Sequence, residues 1–238
     1  MTYQPHILER GASTELTTQD GHKWIVFEET GYARIDPVPS FEDTVTMQLD
    51  AGDGYVEGYR KKFDSKMRRS KKRAKYLRSK MKGSKVLDVG SNVGCFVATS
   101  HALGLDAQGI EINPVLVTEA KRLFPECKFS DIALEDYQAS GEVFDGIYCS
   151  EVIEHVPDPF GFAVKLFNLL DKNGVLFLTT PSLDEYATAG DVHRHMGAPD
   201  HKLYFNQANI IEFMLAAGFS KVKHRFALGK GLQVICYK

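Results

Sequence analysis

The stretch Lys85-Val-Leu-Asp-Val leads into Gly90-Ser-Asn-Val-Gly94, an apolar strand-like run that ends in a tight turn. A glycine there has no Cβ to hold the backbone away from a ligand, and in open α/β sheets ligands bind at the carboxyl ends of the strands. Asp88 stands two residues before Gly90. Glu111 stands near the end of the next apolar run, AQGIEI, twenty-one residues after Gly90, where an acid can accept both hydroxyls of a ribose. The turn residues Gly90, Ser91, Asn92 and Gly94, with Asp88, Glu111 and Ile112, are therefore candidates for holding an adenosine-type ligand.

Charge distinguishes among such ligands. A dinucleotide brings a doubly anionic pyrophosphate and requires G-x-G-x-x-G, but Asn92 stands in place of the second glycine and Asp88 would repel the phosphates. S-adenosylmethionine brings the same ribose, no phosphate, and an α-ammonium that a carboxylate and nearby carbonyls hold well. Methyl transfer to a hydroxyl also needs a group that accepts a proton near neutral pH, and histidine is the usual choice. His155, in EVIEHVPDP, is the first candidate; tying down the loop before Pro157 and Pro159 is the structural alternative for its ring. His193, His195 and His201 fall in DVHRHMGAPDHKLYF, a connection long enough to be functional and a place for the acceptor to bind. These three with Asp191 also suit a divalent metal, although hydrogen bonding to a polyhydroxylated or phosphorylated acceptor is the simpler use, and no metal is assigned.

The elements that must position these residues follow from pattern. From residue 84 onward, short apolar runs alternate with amphipathic stretches, the signature of a parallel sheet covered on both faces. The strands read as KVLDV, AQGIEI, CKFSD, FDGIYCS and GVLFLTT, with helices near 95–103, over PVLVTEAKRL and PFGFAVKLFNLL, and from Asn206 to Gly218. KVKHRFAL and GLQVICYK, joined by GKG, must form an antiparallel hairpin, because a parallel pair needs a dozen or more connecting residues. The fold class is α/β: a Rossmann-like, doubly wound, mostly parallel seven-stranded sheet with a C-terminal antiparallel hairpin. Residues 1–58 read as an arm with one hairpin, KWIVFEE against YARID across Thr30-Gly31. Residues 59–83 read as a basic amphipathic helix, and 84–238 as the ligand-binding domain.

Net charge at neutral pH is only −2, but its distribution is uneven. Between Arg60 and Lys85 lie fourteen Lys or Arg and one acid, Asp64, so the rest of the chain is acidic. Phe63, Met67, Ala74, Leu77 and Met81 make one narrow apolar stripe through that basic run. Such a helix can simply offset the acidic body, or it can grip RNA phosphates, an anionic bilayer surface or a phosphorylated substrate; no aromatic-rich RNA-binding signature accompanies it. The chain's 43 % of hydrophobic residues fits a folded globule and excludes overall disorder. No run reaches the length of a membrane span, and the N-terminus is unlike a signal peptide, which points to the cytoplasm. Cys95, Cys127, Cys149 and Cys236 are widely spaced among mostly apolar neighbours and read as reduced thiols.

VLDVGSNVGCF, GIEINP, FSDIALED and FDGIYCSEVIEHVPDP stand in the order and spacing of class I S-adenosylmethionine-dependent methyltransferases. Over residues 84 to 238 the chain resembles the branch that holds ubiquinone-biosynthesis O-methyltransferases and many sugar and antibiotic methyltransferases. The resemblance implies S-adenosylmethionine as cofactor, with Asp88, Gly90 and Gly94 at its methionine end and Glu111 at its ribose. It also places Asp131 and Ile132 at the adenine, and Glu151 and His155 facing the methyl donor. Asp131 would equally serve as a helix N-cap ahead of ALEDY. The same resemblance suggests that Glu151, Glu154 and His155 could hold a magnesium ion. His155, His201 and His193 are the catalytic candidates, acting on an oxygen or nitrogen of a small molecule or glycan. An RNA or protein methyltransferase that grips a polymer through the basic helix, and a non-catalytic scaffold, are the alternatives.

Overall fold

A computed structural model describes residues 5–137, 141–184, 196–226 and 231–238. Seven strands form the main sheet: β4 (Lys85–Val89), β5 (Asp106–Glu111), β6 (Lys128–Asp131), β7 (Phe144–Ser150), β8 (Leu170–Thr180), β10 (Lys221–His224) and β11 (Leu232–Tyr237). Their order across the sheet is β10-β11-β8-β7-β4-β5-β6. The five strands β4 to β8 are parallel, whereas β11 runs antiparallel between β8 and β10. The doubly wound class and the closing hairpin are as the sequence implies.

Strands buried on both faces carry apolar residues at successive positions, and alternate side chains point to opposite faces. Leu87 and Val89 of β4, Ile147 and Cys149 of β7, and Leu176 and Leu178 of β8 meet one layer of helices, α6 (Pro159–Leu169) and α7 (Gln207–Ala216). Val86, Tyr148 and Phe177 meet the other layer, formed by α3 (Phe63–Arg78), α4 (Cys95–His101) and α5 (Pro114–Leu123). Asn206 caps α7 by accepting from the amides of Ala208 and Asn209, and Gly218 follows that helix with φ 113°, as expected for its closing residue.

The N-terminal part is more structured than an arm with one hairpin. β1 (Ser13–Thr17), β2 (Lys23–Phe27) and β3 (Tyr32–Asp36) form an antiparallel sheet, with Phe27 opposite Tyr32 across the expected turn. Its fourth strand, β9 (Leu203–Tyr204), comes from far along the chain, beside His201, and pairs with Ala33 and Arg34. Pairing over such a separation leaves no signal in a local window. The helix expected over 59–83 is two helices. α2 (Gly52–Lys61) and α3 meet at Lys62, whose φ of −117° and ψ of 13° break the run. A further helix, α1 (Phe41–Asp50), precedes them, started by a Ser40–Asp43 capping box.

Candidate functional site

A cavity of about 420 Å³ opens at the carboxyl ends of β4, β5 and β7, the place where this class of sheet binds ligands. Asp88, Gly90, Ser91, Asn92, Glu111, Ile112, Ile132, Glu151, His155 and His201 all line it, so residues spread over more than a hundred positions converge. Gly94 starts α4 just behind the wall, with φ 81°. Asp131 ends β6, exposed and outside the wall, and among the described residues no helix begins at 132–137 for it to cap. His193, His195 and Asp191 lie outside the described residues.

The turn owes its shape to residues tolerant of left-handed backbone. Gly90 has φ 74°, and a Cβ on it would fall 2.3 Å from Val152 Cγ2. Asn92 has φ 50°, so it adopts the conformation that glycine would otherwise supply, as asparagine does more readily than most residues. Its Oδ1 accepts the Val93 amide at 2.8 Å. Glu111 is drawn against this turn: Oε2 accepts the Asn92 amide at 2.9 Å and Oε1 the Asn113 amide at 3.0 Å. Burial pushes its carboxyl up, against the pull of those amides. Asp88, 3 % exposed, is pushed well above the carboxylate range by burial and by Glu111 beside it. Two buried carboxyls facing a cavity fit a ligand that brings positive charge and hydroxyl donors. The ammonium and ribose of S-adenosylmethionine meet both needs.

Across the cavity, the 3-10 turn Ile153–His155 and the segment before β9 bring together a group of ionisable side chains. His155 Nδ1 lies 3.0 Å from Asp200 Oδ1 and 3.1 Å from the Asp200 carbonyl. Both are acceptors, so Nδ1 carries the hydrogen and Nε2 holds the lone pair. Burial disfavours the charged form of His155, but the Asp200 hydrogen bond and the charges of Glu154 and Asp200 outweigh it and hold the imidazole above its ordinary value. His201 faces the His155 ring edge-on at 4.8 Å. Its Nδ1 lies 2.8 Å from the Tyr204 hydroxyl, which itself donates to the Met196 carbonyl. Burial and the neighbouring His155 press His201 down to about 4, keeping it neutral at physiological pH.

Glu154 is fully buried. Its Oε2 accepts from Thr180 at 3.0 Å, and its Oε1 lacks a hydrogen-bond partner, with His155 Nε2 at 3.9 Å. Burial raises its carboxyl toward the neutral form. Among the described residues, Glu154, His155 and His201 are the one set of potential metal ligands within 4.8 Å of one another. Glu151, grouped with Glu154 and His155 at the sequence level, is outside that set; it accepts from Thr179 at 2.8 Å and sits at φ 57°.

Several lining residues escape sequence reasoning. Gln48 of α1 donates to Asp200 Oδ1 at 2.7 Å, and its carbonyl accepts from Asn113 at 2.6 Å, so α1 bridges the two sides of the site. Lys66, Arg69 and Arg73 of α3 also border the cavity. Their signal was the spacing of three and four residues alongside the apolar stripe. Asp200 had only its position next to His201.

Residues 59–224, well over half of the chain, match the family model described as a methyltransferase domain. The chain is 29 % identical over 154 residues to the ubiquinone biosynthesis O-methyltransferase of Psychrobacter arcticus, 58 % of this chain and 60 % of that one. It is 33 % identical over 109 residues to the enzyme of the same name from Thiobacillus denitrificans, 43 % of this chain and 47 % of the relative. The chain thus spans about half the length of these relatives. Among solved structures, magnesium protoporphyrin IX methyltransferase from Synechocystis shares the fold. With S-adenosylhomocysteine bound, it gives a TM-score of 0.63 at 16 % identity, over 84 % of this chain and 100 % of that one. With S-adenosylmethionine bound, it gives 0.60 at 18 %, over 82 % and 97 %. Family match, sheet order and a carboxyl-lined cavity at the strand ends agree: the chain belongs to the class I S-adenosylmethionine-dependent methyltransferases, with distant homology to the ubiquinone biosynthesis O-methyltransferases.

Proposed function

We propose that this enzyme methylates a hydroxyl oxygen of a small-molecule acceptor, glycans included. The observation that carries the reading is the His155–Asp200 pair, set in the same cavity as the glycine turn. S-adenosylmethionine, when bound, supplies a methyl group already activated by positive sulfur. What the chain must add is alignment, exclusion of water and removal of the acceptor's proton. Asp88 and nearby turn carbonyls hold the ammonium of the methionine end and Glu111 the ribose. Asp200 fixes the His155 tautomer so that Nε2 can take the hydroxyl proton, and the raised affinity of that imidazole for protons suits a base working near neutrality. His201, kept neutral, orients the acceptor by hydrogen bonding. An amine acceptor would need this machinery less. The relatives, ubiquinone biosynthesis O-methyltransferases, point the same way.

The test is product analysis after incubation with S-adenosylmethionine and panels of phenols, sugars and amines. Mass spectrometry should find methyl ethers, and His155→Ala should lose roughly 100-fold or more in turnover while still binding S-adenosylhomocysteine. Methylation of amines alone, or full activity in His155→Ala, would sink the reading.

A further inference from the structure

The cavity is electrically divided. Its acids come from the strand ends, the loops that follow them and the segment before β9: Asp88 and Glu111 at the turn, Glu135 and Glu151 after β6 and β7, and Asp200 bound to His155. Its cations come from α3, where Lys66, Arg69 and Arg73 share a face at helical spacing. Arg73 is anchored, donating to the Tyr148 hydroxyl and, at 2.9 Å, to Ser150 Oγ. Lys66 is half-buried, with its ammonium 4.1 Å from the centre of the Tyr59 ring. Arg69 is more exposed, at the rim. No ion pair joins any of the three to a carboxylate among the described residues. Cations just upstream are answered: Arg60 meets Glu119 at 3.1 Å and Lys61 meets Glu57 at 2.7 Å. The local clustering has a cost, because burial and the charges of Arg69, Lys62 and Arg73 press Lys66 below its ordinary value.

S-adenosylmethionine brings a single carboxylate, which one guanidinium satisfies, so three cations bordering one cavity exceed what the donor needs. Resting on the methyl-transfer reading above, we propose that Lys66 and Arg69 hold an anionic group, phosphate or carboxylate, carried by the acceptor. Charge-assisted hydrogen bonds to such a group are stronger than neutral ones, and the same two cations left unanswered would disfavour neutral compounds of equal size. The basic helix thus selects acidic acceptors through its inner face.

Calorimetric titration of the full chain, saturated with S-adenosylhomocysteine, tests this with matched probes: phenyl phosphate and benzoate against phenol and benzyl alcohol. At least one acid should bind about tenfold tighter than its neutral counterpart, a difference of about 1.4 kcal/mol, and the stronger of the two acids tells phosphate from carboxylate. Lys66→Gln/Arg69→Gln should bring the pair to parity with S-adenosylhomocysteine affinity held within about twofold, and Lys66→Arg/Arg69→Lys should keep most of the preference. Equal binding of acid and neutral probes, or no binding of either acid at millimolar concentration, overturns the proposal. So does a Gln double variant that loses S-adenosylhomocysteine, since the cations would then serve the donor's carboxylate. The readout is binding, so it stands apart from the choice of oxygen over nitrogen, which product analysis decides.

Discussion

Asn92 and His155 show how single residues set the chemistry. Asn92 holds left-handed backbone at φ 50° while its amide donates to Glu111, so the turn and the Glu111 carboxyl are built together. Asn92→Gly should be nearly neutral in urea unfolding, whereas Asn92→Val should cost about 1–2 kcal/mol and weaken S-adenosylhomocysteine binding. At His155 the sign of the pH dependence follows from which form works. A base acts when neutral, and because the Asp200 contact raises its pKa despite burial, activity should fall as pH drops through a midpoint above 6.5, the ordinary value for histidine. In Asp200→Asn the raising contact is lost and burial remains, so the acid limb of kcat/KM should move to lower pH while the plateau falls. An unmoved limb would assign that limb to a group other than His155.

At the scale of elements, α3 works through both its faces. Its apolar stripe is seated on the sheet: Ala74 and Leu77 are fully buried against Val86, Phe96 and Phe177, and Phe63 stacks on Phe124 at 6.3 Å. The seam turns Lys66, Arg69 and Arg73 toward the cavity and leaves Arg68, Lys71 and Lys72 in solvent. Leu77→Ala should therefore destabilise the protein by about 2–5 kcal/mol in denaturant unfolding, and near its midpoint the cavity wall should loosen with it. An effect under about 1 kcal/mol would mean that the helix is held elsewhere. The stripe was legible in the sequence because helical periodicity is local. The break at Lys62 was not, since no proline or glycine marks it and Tyr59 and Phe63 keep their apolar spacing across it.

At the scale of the whole molecule, the N-terminal sheet and the His155–His201 side of the cavity are one structure. β3 pairs with β9, Trp24 lies 5.5 Å from the Tyr204 ring, and Tyr204 in turn meets His201. Leu8, Phe27 and Tyr32 enter the same core as Phe205 and Phe213. Deleting residues 1–36 should lower Tm and reduce turnover, with a smaller effect on S-adenosylhomocysteine affinity, because no residue of β1–β3 lines the cavity. Retention of full turnover would separate the sheet from the site. The described residues contain no helix long and apolar enough to cross a membrane.

The sequence by itself determined the α/β class, the closing hairpin, the glycine turn with Asp88 and Glu111, and the methyl donor they fit. Each rests on neighbours within one strand, helix or turn, where periodicity, turn chemistry and charge act over a few residues. Only the tertiary structure decided that Asp200 aligns His155, that Gln48 bridges from α1 to the site, that Asp131 stays outside the wall, and that the inner cations of α3 border the cavity. Those contacts join positions between 45 and 152 residues apart or depend on which way a helix is rolled on the sheet. Packing of the whole chain fixes them, and no local pattern encodes it.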